Sequence, residues 1–149
     1  MFNKSEVVRG IMGTDMKKKA LNIIRDRNLC SYMNNTKWNE LRMAMLNEMP
    51  FPPAYIIKYL FEDECPEEKN FQNDVWYFGD WNEGLTFEDY FNGGFAIEWI
   101  KIRPRYLKHR GRLIDSEIID ATEKFEEILK QYNIPFEEEN GMYCIYGYR

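Results

Sequence analysis

Histidine is nearly missing from this chain. One residue, His109, is the whole supply in 149 positions. Any Ser-His-Asp or Cys-His arrangement would have to use it. It sits in the basic stretch LKHRGRLID with no nucleophile motif beside it, so it reads as an exposed loop histidine. Cysteine is also scarce. Cys30, Cys65 and Cys144 are odd in number, far apart and without a CxxC spacing. A disulfide framework and a zinc cage are both disfavoured, and reduced thiols in the cytosol are expected. Walker and GxGxxG loops are missing, so no nucleotide fingerprint is present. No cofactor is expected. No run approaches the ~20 apolar residues that span a bilayer, and the N-terminus has no apolar core of a secretory signal. No membrane association is expected. Internal repeats, low-complexity runs and linkers are missing too.

Apolar and aromatic side chains are what the chain does have. Hydrophobic residues make up 44% and aromatics 16%, with 30% charged. That mixture excludes intrinsic disorder and fits one domain over 1–149, with 1–14 as a flexible N-terminal arm. Charge is distributed in blocks. Residues 1–61 carry a net +5, 62–98 carry −10, 99–114 carry +6 and 115–149 carry −6. The overall −5 disfavours general nucleic-acid binding, which needs clustered Lys and Arg. The acidic block either steers a basic partner or faces the 101–112 basic run inside the fold.

Periodicity predicts the elements. DMKKKALNIIRDR (15–27) reads as a short helix with Ala20, Leu21 and Ile24 on its apolar side. In NNTKWNELRMAMLNEMP, Thr36 is the N-cap candidate, Trp38, Leu41 and Met45 recur at helical spacing, and Pro50, Pro52 and Pro53 stop the helix. AYIIKYLF (54–61), DVWYFGDW (74–81) and FAIEWIKIRPRY (95–106) read as strands. The third is apolar on both sides at first, as a central strand would be, until Pro104 ends or edges its pairing. DSEIIDATEKFEEILKQYN (115–133) predicts a helix with the stripe Ile118, Thr122, Phe125, Leu129 and Tyr132. Asn140-Gly141 predicts a two-residue type I′ turn in a terminal hairpin. The order ααβββαββ implies an α+β domain: a mostly antiparallel sheet, helices packed on one face, and a C-terminal helix followed by a β-hairpin.

Chemistry concentrates in two places. The stretch WYFGDWNEGLTFEDYF (76–91) has seven aromatics, four carboxylates and no Lys or Arg. Its strand portion, Val75 to Phe78, is assigned to the core. Its turn residues Asp80, Trp81, Glu83, Glu88, Asp89 and Tyr90 form a candidate docking surface for a basic protein, because Trp and Tyr anchor interfaces and carboxylates pair with Lys and Arg. A structural role for the same turn, or packing against a second copy in a homodimer, are the alternatives. The other place is the basic run. Arg103, Arg105, His109 and Arg112 form a candidate phosphate or RNA site, with Glu98 as acid or base. Against it stands a basic edge that discourages sheet extension. Glu98, flanked by Ile97 and Trp99, requires a charge partner, and Arg103, Arg105 or Arg112 is the expected one. EDECPEE (62–68) reads as a solvated loop before a cation site, since EF-hand spacing is missing.

NNTKWNELRMAMLNEMP, PPAYIIKYL, WYFGDWNEGL, IEWIKIRPR and the terminal IYGY together resemble a family of small bacterial proteins described only as a domain of unknown function. The distinctive marks are Thr36-Lys37-Trp38, Gly79-Asp80-Trp81 and Glu98-Trp99, and the resemblance runs from about Asn34 to Arg149. It implies no activity and no catalytic residues. In type, a short, acidic, aromatic-rich α+β domain is also similar to immunity proteins of bacterial toxin systems. The expectation is a non-catalytic protein-binding protein, an acidic immunity protein that neutralises a basic toxin. The alternatives are a small phosphate-, nucleotide- or RNA-binding module or enzyme, and a structural homodimer.

Overall fold

A computed structural model describes residues 4–66, 71–82 and 94–149. Helix α1 spans Lys4–Asp26, starting inside the stretch read as an arm. Ala20 is buried as expected, but Leu21 points outward, so the apolar side is narrower than its sequence suggests. Helix α2 spans Asn35–Asn47. Its N-cap is Asn34, whose side chain accepts from the Lys37 N–H at 2.8 Å, and not Thr36. Trp38, Leu41, Ala44 and Met45 form its buried stripe, and the prolines after Met49 prevent another turn.

Strand β1 (Ala54–Tyr59) pairs with β2 (Ile97–Arg103), and β2 pairs with β6 (Met142–Tyr146). β5 (Glu137–Glu139) closes an antiparallel sheet of order β1-β2-β6-β5. β2 is central, as its two-sided apolarity requires. The register places Ile57 opposite Ile100, Ile100 opposite Ile145 and Ile102 opposite Tyr143. Cross-strand partners share a face. That face packs on Trp38, Leu41 and Met45 of α2 and on Phe125, Ile128 and Leu129 of α3 (Thr122–Gln131). The fold is α+β, with a mostly antiparallel sheet, α2 and α3 on one face, and α3 followed by the β5–β6 hairpin. Asn140 and Gly141 have φ of 54° and 76°, the two left-handed positions that the type I′ turn demands.

Two elements differ from expectation. Residues 74–81 are not a strand. Among the described residues, their backbone–backbone bonds to neighbouring segments are isolated: Val75 O accepts from Leu107 N, and Gly79 N donates to Pro52 O. The predicted helix at 115 begins only at Thr122. Glu117–Asp120 is strand β4, paired with β3 (Arg105–Lys108) in a separate ribbon. Ile118 and Ile119 are consecutive β-branched residues, and pairing opposite Leu107 and Tyr106 overrides the helical spacing of Ile118. Ala121 is the N-cap of α3 and makes no side-chain cap bond, while Asp120 just before it accepts from Thr122 N and Oγ1. No described helix is long and apolar enough to cross a membrane.

Candidate functional site

The segment 71–82 crosses the molecule beside β1 and β3. Phe71 and Val75 are buried against Ala54. The next three residues turn outward: Trp76 is 77% exposed, Tyr77 41% and Phe78 49%. Three successive aromatics cannot all face one side of a strand, and here an irregular backbone presents all of them to solvent. Phe78 is steadied from below, its ring centre 5.9 Å from Phe51 and 4.9 Å from Tyr106.

The following four residues are clamped. Gly79 lies so close to β1 that an added Cβ would overlap the Pro53 carbonyl oxygen and press on the Tyr55 ring. Trp81 is 1% exposed, and its Nε1–H donates to Pro53 O at 2.8 Å. Trp81 is therefore core and not the exposed anchor expected of it: an indole with both its ring and its donor satisfied inside the fold has nothing left to offer a partner. Tyr55 Oη donates to Asp80 O, and Arg42 donates to Trp81 O at 2.9 Å and Asn82 O at 3.2 Å. Burial, then the negative Asp80, pushes the Tyr55 phenol above its ordinary value. Asp80 itself is exposed. Glu83, Glu88, Asp89 and Tyr90 lie outside the described residues.

The basic run divides. Arg103 and Arg105 line one cavity of 630 Å³ with Gln72, Asn73, Glu139 and Asn140. Arg105 grips Asp74 bidentately, through Nε at 2.9 Å and Nη2. Arg103 Nε donates to Phe71 O and Nη1 to Asn140 O at 3.3 Å. His109 and Arg112 are exposed on the β3–β4 loop and do not line this cavity. The four-residue phosphate site is thus not assembled, because the β3–β4 ribbon carries its loop beyond the β2–β3 junction.

Glu98 finds other partners than expected. It is 5% exposed and pairs with Lys58 and Arg27, not with Arg103, Arg105 or Arg112. The reason is a register shift: Lys58 sits opposite Trp99 and Tyr59 opposite Ile97, leaving Glu98 as an extra residue. Such a bulge re-aims its side chain, here onto the face that carries Lys58. Arg27 reaches Oε1 as a charge contact without hydrogen-bond alignment. The bulge is fixed from behind, where the Glu98 carbonyl accepts from Gly147 N and Tyr148 N. Glu62, Asp63 and Glu64 are exposed, and among the described residues no three His, Cys, Asp or Glu side chains gather as a metal site.

Residues 20–149 match the model of a family described as Family of unknown function (DUF6678). The chain belongs to that family. The matched span holds the exposed aromatics, the arginine cavity and the Glu98 cluster, so each is carried by the family's portion of the chain. No curated protein and no solved structure matches the chain.

Sequence reasoning missed Trp76, Tyr77 and Phe78 as surface residues, Lys58 and Arg27 as the Glu98 partners, and Arg42 as the clamp on 81–82. Only the first left a signal, namely three large aromatics in succession.

Proposed function

We propose that this protein is a non-catalytic protein-binding protein with a basic partner, and more specifically an acidic immunity protein that neutralises a basic bacterial toxin. The observation that carries the reading is the exposed run Trp76-Tyr77-Phe78, set beside exposed Asp80 on a clamped backbone. Large aromatic rings facing water in series are costly unless a partner covers them, and Trp and Tyr lead the residues that anchor interfaces. A fixed support lowers the ordering cost of binding. The segment 62–98 has a net charge of −10 in the sequence; with Asp74 and Glu98 paired inside the fold, its remaining carboxylates supply the field that draws in a basic protein and repels an acidic one. In this reading the docking residues are Trp76, Tyr77, Phe78 and Asp80, joined by Glu83, Glu88, Asp89 and Tyr90 of the same acidic stretch.

The test is purification of the tagged protein at low salt, with the co-purifying protein identified and its ratio measured. One basic protein at equal stoichiometry, released by salt and lost with Trp76→Ala and with Asp80→Lys, is the expected result. Relief of that protein's toxicity by the wild-type chain alone would establish the immunity role. A basic partner held equally well by both variants would remove this face from the interface. Concentration-dependent self-association abolished by Trp76→Ala would assign the patch to a second copy of the chain.

A further inference from the structure

The cavity beside the β2–β3 junction holds a buried charge with no ion pair of its own among the described residues. Arg103 is 2% exposed. Among the described residues its guanidinium meets two backbone carbonyls and, at 5.7 Å, the face of Phe71, but no carboxylate within ion-pair distance. The adjacent Asp74 is engaged at both oxygens by Arg105. Arg105 in turn adds like-charge repulsion. Burial holds the Arg103 pKa below the usual arginine value, although the pull of Asp74 opposes it more strongly than the Arg105 repulsion adds to it. Taking a cation out of water costs several kcal/mol unless an opposite charge or a full set of acceptors compensates.

The space in front of Arg103 is large enough to provide that compensation. Its 630 Å³ falls within the roughly 300–1,000 Å³ of small-molecule sites. The side-chain amides of Gln72, Asn73 and Asn140 on its walls can donate and accept hydrogen bonds. Asp74 and Arg105 cancel, and Glu139 at the hairpin turn disfavours a highly charged ligand. We propose that this cavity binds a small polar molecule through one oxyanion group, a carboxylate or a phosphate, with Arg103 as the anion ligand and Gln72, Asn73 and Asn140 as hydrogen-bonding walls. The site is separate from the aromatic docking face and does not depend on it.

The experiment is a titration of the isotopically labelled full chain with inorganic phosphate and, separately, with acetate, followed by backbone amide and arginine Nε–H resonances. Saturable shifts confined to Arg103 and to residues 72–74 and 139–141 are expected. Stronger binding of phosphate identifies a phosphorylated ligand, and stronger binding of acetate a carboxylate. Arg103→Gln should weaken the better anion at least roughly tenfold, the loss of one charged hydrogen bond. Gln72→Glu alters an exposed wall and carries little folding risk, and it should also weaken binding by placing a carboxylate in the cavity. Trp76→Ala should leave the titration unchanged. Absence of saturable shifts at tens of millimolar of either anion would overturn the proposal. So would shifts that persist in Gln72→Glu, which would mark an adventitious ion only.

Discussion

Replacing Glu98 by Gln tests how the bulge in β2 is held. The substitution keeps the shape and removes the charge. Lys58 is 6% exposed, and its other hydrogen bond, to Tyr59 O at 3.5 Å, lies at the limit of a hydrogen bond. Its ammonium would therefore stay buried opposite a neutral amide. Breaking a buried pair from one side costs roughly 3–5 kcal/mol. Arg27 is half exposed and returns to water cheaply, which favours the lower end, about 3 kcal/mol. For a chain near 150 residues each kcal/mol moves Tm by about 2–4 °C, so a fall of roughly 6–12 °C is expected. The assay is thermal and urea unfolding of Glu98→Gln, Lys58→Met, their double variant and Arg27→Gln. The double variant should recover much of the loss, because an apolar contact against a neutral amide leaves no orphaned charge. Arg27→Gln should cost less than ~1 kcal/mol, as exposed ion pairs do. If Glu98→Gln costs no more than Arg27→Gln, or if the two buried changes simply add, the account of a coupled buried pair is wrong.

Gly79→Ala should lower stability by about 1–3 kcal/mol in urea melts, since the new methyl meets the Pro53 carbonyl and must displace backbone or the Trp81 indole; an unchanged midpoint would refute the clamp. Asp120→Ala should cost about 1 kcal/mol, read as a lower Tm, by removing the hydrogen-bond acceptor for Thr122 N and Oγ1 just before α3, while Asp115→Ala, in the exposed loop, should not. Stability should fall as pH rises. Burial is the first cause raising the pKa values of Cys144, Tyr55, Tyr143, Tyr146 and Tyr148. The unfolded chain then releases these protons at a lower pH than the folded one, so the stability is full below the ordinary thiol and phenol values and declines above about 8.5 and about 10. Urea midpoints measured across that range should drop, and Tyr143→Phe should flatten the curve; a flat wild-type profile would contradict the assignment. Native alkylation should label exposed Cys30 and Cys65 and spare Cys144.

Some of this molecule was legible residue by residue. Trp38, Leu41 and Met45 announced α2 because a 3.6 period and a proline stop are local facts. Asn140-Gly141 announced the hairpin because few residues accept two successive left-handed positions. The near-continuous apolar run 95–100, broken by Glu98 alone, marked a central strand. Ile118 misled, because a β-branched residue can continue a helical stripe on paper while a strand at 105–108 recruits it across a ribbon. Trp81 misled in the other direction: it has the composition of a turn anchor, yet Pro53 and Tyr55, 28 and 26 positions earlier, enclose it.

The sequence by itself determined the class of the fold, the terminal hairpin, the uneven charge and the poverty of histidine and cysteine chemistry, since each follows from composition or from neighbours within a few residues. The tertiary structure alone decided which aromatics face water, that Glu98 meets Lys58 and Arg27, and that Arg103 and Arg105 share a cavity while His109 and Arg112 do not. Those outcomes rest on a one-residue bulge, on the placement of segment 71–82 against β1 and β3, and on contacts between residues tens of positions apart. Burial and charge pairing are set by such long-range packing, and a local pattern carries no record of it.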